Sequence, residues 1–96
     1  MTMTTTIRET DVQTDAQTRL EDMVQVVLYN DDYNAMEHVV HSLMRVFAHT
    51  MEIAVKIMLE AHNRGKAIAE VEGETPARRH CAQLQSLGLT ATIEKI

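Results

Sequence analysis

The sequence predicts an α+β fold: a small three-stranded antiparallel sheet packed against three helices, in the order β-α-α-β-α-β. Three observations predict it. Apolar residues alternate with period two near residues 24–29, 66–73 and 89–95, as half-buried strands do. Between those stretches they recur at helical spacing, from Met36 to Phe47, from Met51 to Ala61 and from Ala77 to Leu84. Turn and cap residues stand at each change of period, namely Asn30-Asp31-Asp32, Thr50, Gly65, Thr75-Pro76 and Gly88.

Taken in order, residues 1–22 hold seven threonines, five acids and two arginines around scattered apolar residues. Such a stretch has no stripe with which to bury a core, so a flexible tail of net charge −3 is expected, followed by one core domain over 23–96. In the first strand Val24, Val26 and Leu28 alternate with Gln25, Val27 and Tyr29. The corner Asn30-Asp31-Asp32 follows, built of short polar side chains that bond nearby backbone. Asn34 is the expected N-cap of the first helix, over 35–48, with Glu37 closing a capping box. Thr50 is the expected N-cap of the second helix, over 51–63, with Gly65 at its left-handed end. Its apolar arc is wide enough to suggest a helix covered on two sides, with Met51, Ala54, Val55, Met58 and Ala61 flanked by Ile53, Ile57 and Leu59. Residues 66–73 form a second strand, Ala67, Ala69 and Val71 alternating with Ile68, Glu70 and Glu72. Thr75-Pro76 starts a third helix over 76–87, a capping hydroxyl before a proline that suits the first turn. Leu89 to Lys95 closes the chain as a strand.

Composition narrows the functions. Ninety-six residues give one small core, and with no Trp, one Phe and two Tyr it must be built from Val, Ile, Leu and seven Met. A net charge of −5 argues against nucleic acid as a partner, because phosphate binding draws on clustered Lys and Arg. The single cysteine, Cys81, leaves no internal disulfide and fits a reducing compartment. No apolar run approaches the ~20 residues of a membrane span, and no secretory-signal core is visible at the start. A cytoplasmic or plastid-stroma-like location is the expectation. The pairs His38/His41 and His80-Cys81 lack the spacing of three or four converging ligands, so neither a metal nor another cofactor is expected. The Asn-Asp-Asp corner running into an apolar helix face places acceptors at the mouth of a groove. That chemistry suits a cation attached to something apolar.

The residues Leu28 to Glu37, L-Y-N-D-D-Y-N-A-M-E, resemble the L-x-N-D-D-Y/D-x-x-x-M-E segment of the ClpS family. Ile57 to Ala67, I-M-L-E-A-H-N-R-G-K-A, is similar to that family's M-L-x-x-H-x-x-G segment. Asn-Asp-Asp alone is ordinary turn chemistry; two motifs in order and at this distance are specific. The resemblance covers about residues 23–96 and implies a non-catalytic adaptor that hands proteins with destabilising first residues to a Clp protease. It implies that Asn30 and His62 contact the substrate's α-amine, while Asp31 and Asp32 act through water or by fixing the corner. A pocket for the first side chain would be lined by Met36, Val39, Met58, Ala61 and Leu89, with Asn34 and Ala35 at its lip. An ammonium buried without acceptors is costly, and a hydrogen bond to a charged group contributes about 1.5–3 kcal/mol, so such a reader needs this convergence.

The family resemblance also implies docking on the N-domain of a ClpA- or ClpC-type unfoldase through the region of Glu74, Thr75, Arg79 and His80, and a role for the N-terminal extension in delivery. The expected chain is a monomer taking peptides that begin with Leu, Phe, Tyr or Trp. Asn34-Ala35 replaces the Thr-Pro common in the family, which leaves the ranking of those residues open. A regulatory module that docks on the unfoldase without reading N-termini is the alternative. A hydrolase using Asp31 or Asp32 with His62 is disfavoured, since no serine or cysteine nucleophile lies near them in sequence.

Overall fold

The structure is a computed structural model that describes residues 23–96; the tail expected over 1–22 lies outside the described residues. The elements are β1 (Met23–Tyr29), α1 (Met36–Phe47), α2 (Met51–Arg64), β2 (Lys66–Gly73), α3 (Glu74–Ser86) and β3 (Thr90–Lys95). β1 opens the described chain but lies at the centre of the sheet, whose order is β2-β1-β3 with both pairs antiparallel. α2 packs on β2 and α3 on β1 and β3, while α1 rests against both helices.

β1 keeps its expected alternation on the helix side, where Val24, Val26 and Leu28 are buried, yet outward-facing Val27 is buried too. In β2 the register departs from a uniform ladder. Val26 pairs with Glu70 and Val27 with Ile68, so Ala69 is an extra residue in β2, a β-bulge. A one-residue slip flips every later side chain to the other face. Ala67 and Ala69 are buried as expected, whereas beyond the slip Val71 is turned out to solvent and Glu72 turns toward the helices and meets His80. The uniform alternation expected for this strand fails at the bulge.

Three helix expectations are also corrected. The N-cap of α1 is Ala35, in extended conformation and without a side-chain bond, so the Asn34–Glu37 capping box does not form. Asn34 is engaged elsewhere, as described below. α2 is capped by Thr50, whose Oγ1 accepts from the Ile53 N–H at 3.3 Å, as expected. Its apolar arc is nevertheless wider than its cover: β2 and α1 both pack on it, but only Ala54, Ile57, Met58 and Ala61 are buried, while Met51, Ile53 and Leu59 are exposed. α3 begins at Glu74, capped by extended Gly73, so Pro76 falls within the first turn, where no intrahelical N–H is needed.

Leu43, Leu84 and Val26 are fully enclosed, one from each of α1, α3 and β1, and tie the layers together. Cys81 packs in the same core, and its burial pushes the thiol pKa up, as for a structural cysteine. α1 ends at Ala48 with φ of +58°, a left-handed conformation that costs a residue with a Cβ roughly 1–2 kcal/mol. Ala48→Gly is expected to stabilise the fold by about 0.5–1 kcal/mol, after the greater unfolded-state entropy of glycine is subtracted. Thermal unfolding checks it, as a rise of several degrees in Tm.

Candidate functional site

Four segments meet where β1 ends: the β1–α1 corner, the start of α1, the last turns of α2 and the loop between α3 and β3. They enclose a cavity of about 130 Å³ open to solvent. Its polar rim holds Asn30, Asp31, Asp32 and His62; its apolar wall holds Met36, Val39, Met58, Ala61 and Leu89, with Asn34 between them. Every one of these residues was expected there, the lining of the wall through the family resemblance. Ala35, expected at the lip, does not line the cavity; its carbonyl accepts from the Val39 N–H at 3.1 Å. Leu28 and Tyr29 do line it and were missed, although their place directly before Asn30 on an alternating strand was a usable signal.

Local backbone chemistry explains the convergence. The Asn30 N–H donates to the Gly65 carbonyl at 2.9 Å, and the Gly65 N–H donates to the Ala61 carbonyl at 2.8 Å. Gly65 sits at φ of +94°, where a Cβ would be strained, and there α2 turns into β2. The corner is thus stapled to the end of α2 only three residues beyond His62. Met58, Ala61 and His62 lie within about one turn of each other, which sets wall and rim on one side of the helix.

Asp31 organises the corner. Its Oδ1 accepts from the backbone N–H groups of Tyr33 and Asn34, both at 3.0 Å, and from Asn34 Nδ2 at 3.1 Å. Its Oδ2 accepts from Asn34 Nδ2 at 2.9 Å and from Thr90 Oγ1 at 3.2 Å. Burial alone would push its pKa up. The bonds from Asn34, Tyr33 and Thr90 outweigh burial and hold the carboxyl below its ordinary value. The side chains of Asn30, Asp32 and His62, by contrast, make no hydrogen bond among the described residues. The acid left open by the sequence to fix the corner is therefore Asp31. Asp32 stays exposed and contributes charge at the mouth.

Behind the rim, the Tyr29 hydroxyl donates to the Glu94 carboxylate, and Lys66 Nζ stands 3.9 Å from Glu94 and 5.8 Å from the Tyr29 ring centre. That hydrogen bond is the leading cause both of the raised Tyr29 pKa and of the lowered Glu94 pKa. It links the ends of β1 and β3 across the outer sheet face.

The second predicted surface divides in two. Glu74, Thr75 and Arg79 border a shallow depression together with Arg78, which pairs with Glu74 at 2.5 Å. His80 is half-buried instead, its Nδ1 2.6 Å from Glu72 Oε2 and its ring edge-on to Phe47 at 5.0 Å. Among the described residues no three His, Cys, Asp or Glu side chains are grouped to hold a metal ion, and no helix is long and apolar enough to cross a membrane.

A small α+β module whose first strand ends in an acceptor-rimmed apolar cavity defines a class of single-domain ligand-capture modules without a metal cluster among the described residues. The family model for the ATP-dependent Clp protease adaptor protein ClpS matches residues 19–92, and the chain belongs to that family. It is 37% identical over 92 residues to the chloroplastic Clp protease adapter protein CLPS1 of Arabidopsis thaliana, covering 95% of this chain and 58% of that protein's length. It is 40% identical over 83 residues to the ClpS adapter of Synechococcus elongatus, covering 85% of this chain and 87% of that one. Among solved structures, Agrobacterium tumefaciens ClpS2 bound to L-phenylalaninamide superposes with a TM-score of 0.73 at 29% identity, over 76% of this chain and 95% of that chain.

Proposed function

We propose that this chain is a non-catalytic adaptor. It captures proteins by a free α-amino group and a bulky hydrophobic first side chain, and it delivers them to an ATP-dependent Clp unfoldase-protease. The observation that carries this reading is the open cavity itself. Its rim presents the side chains of Asn30, Asp32 and His62, which make no hydrogen bond among the described residues, and its wall is apolar. L-Phenylalaninamide, the ligand of the Agrobacterium relative, has a free amine, an aromatic side chain and an uncharged carboxamide, as the first residue of a polypeptide does.

In this reading Asn30 Oδ1 and a His62 ring nitrogen accept from the ammonium, and Asp31 and Asp32 make the local potential negative. Asp31 does so while holding the corner in shape. A cavity of about 130 Å³ is close to the ~150 Å³ apolar cavity that takes up benzene, so it suits a phenyl or isobutyl group. Burying such a group contributes about 1.5–3 kcal/mol. With the amine contacts, and after the entropy lost on association, affinity near the micromolar range, about −8 kcal/mol, is expected. That range suits a carrier which must release its cargo.

The unfoldase partner is a ClpA- or ClpC-type N-domain, met at the start of α3 by Glu74, Thr75 and Arg79, with His80 supporting that surface from beneath through Glu72. The working location is the cytoplasm or plastid stroma. Fluorescent peptides that begin with Leu, Phe, Ser and Val test the reading. Saturable binding of the Leu and Phe peptides, with the Ser and Val peptides weaker by tenfold or more, is the expected result. Docking on the unfoldase with no peptide binding would replace it with the regulatory-module reading. Turnover of the peptide would show an enzyme.

A further inference from the structure

In the expected role of a cap, Asn34 would serve α1. It does not: its carboxamide nitrogen spends both hydrogens across the cavity. One goes to the Asp31 carboxylate, at 2.9 Å from Oδ2, and the other goes to the Gly88 carbonyl at 2.9 Å. Gly88 is 54 positions along the chain and immediately precedes Leu89, which is buried in the cavity wall. Gly88 itself sits at φ of +91°, and a Cβ there would lie 3.7 Å from Asn34 Oδ1, so the two residues are in close approach. One turn further on, His38 Nε2 donates to the Leu87 carbonyl at 2.7 Å. The loop that carries Leu89 is therefore held through two successive carbonyls of its own, that of Gly88 by a donor from the corner and that of Leu87 by a donor from α1.

We infer that Asn34 is a positioning residue for substrate selection: its carboxamide braces the acceptor corner against the 87–89 loop and so fixes the width of the first-side-chain pocket. The geometry asks for an amide. A carboxamide has two donor hydrogens on one nitrogen, whereas a threonine hydroxyl has one and can serve Asp31 or Gly88 but not both. A pocket held at fixed width favours the side chain that fills it and resists a larger one. Without the brace, Gly88 and Leu89 keep their N–H bonds to the Gln85 and Leu84 carbonyls of α3, and His38 still anchors Leu87, but the wall loses the Asn34 tie to the corner and can shift outward. Small aromatic groups then lose contact, and an indole is accommodated more easily.

This inference rests on the adaptor reading, and its test separates the two. Asn34→Ala and Asn34→Thr are compared with the parent chain by affinity for peptides that begin with Phe and with Trp. Amide hydrogen exchange at residues 87–89 is measured without peptide. The expected result is an affinity for the Phe peptide about tenfold lower in both variants, the scale of one net hydrogen bond. The Phe-to-Trp preference narrows by several-fold, and exchange at 87–89 is faster in both. Asn34→Thr should keep the parent's Tm to within a few degrees, which sets the selectivity change apart from a loss of stability. Equal loss for both peptides, or an Asn34→Thr protein with unchanged preference and unchanged exchange, overturns the inference. If the parent chain bound neither peptide, the adaptor reading would fail, and the exchange comparison would still decide whether Asn34 braces the loop.

Discussion

His62→Ala is expected to weaken binding of a Phe-initial peptide by roughly ten- to hundredfold while leaving the fold intact. His62 is exposed on the last turn of α2 and makes no hydrogen bond among the described residues, so no internal partner is stranded by its removal. What is removed is an acceptor for a charged donor, and such a bond contributes about 1.5–3 kcal/mol, which converts to that range of affinity. Binding titrations and thermal unfolding on the same preparation check both halves. A large fall in Tm would mean that the histidine serves the helix rather than the ligand.

Asp31→Ala should act in the opposite proportion, with a large effect on stability as well as on binding. The carboxylate closes the turn through two backbone N–H groups and joins Asn34 and Thr90 to it. Removing it leaves several donors without their acceptor, some only partly reached by solvent. The expected cost is about 2–3 kcal/mol of stability. The pH dependence has a definite sign. Because the folded-state pKa lies below the ordinary aspartate value, the stabilisation is fully present above that value, near pH 4, and is lost as acid titrates through the lowered one. Denaturation followed between neutral pH and about pH 2 should therefore show a steeper acid loss for the parent chain than for Asp31→Asn.

Much of this site could be read along the chain because its chemistry is local. The strand, the corner and the first turn of α1 are contiguous, and the second rim segment sits on one helix beside a glycine whose positive φ ends it. Helical spacing alone places Met58, Ala61 and His62 together. What could not be read depends on register and on distant partners. The bulge at Ala69 inverts Val71 and Glu72, and no local residue signals it, because it is set by pairing with β1. Asn34 looks like a helix cap from its neighbours, yet its partners are Asp31 and a carbonyl 54 residues away. Glu94 reaches Tyr29 across 65 residues. Likewise the wide apolar arc of α2 suggested cover on two sides, but only the shape of the whole domain decides that Met51, Ile53 and Leu59 face solvent.

Capture of a free ammonium is the central claim, and acetylation of one peptide tests it most directly. The same Phe-initial peptide is titrated with its α-amine free and with it acetylated, so that the side chain and all later residues are unchanged. The account predicts micromolar binding for the free amine and a loss of about hundredfold or more on acetylation, since both charge and donors disappear. Equal affinity for the two forms would show that the cavity reads only the hydrophobic side chain, and would contradict it.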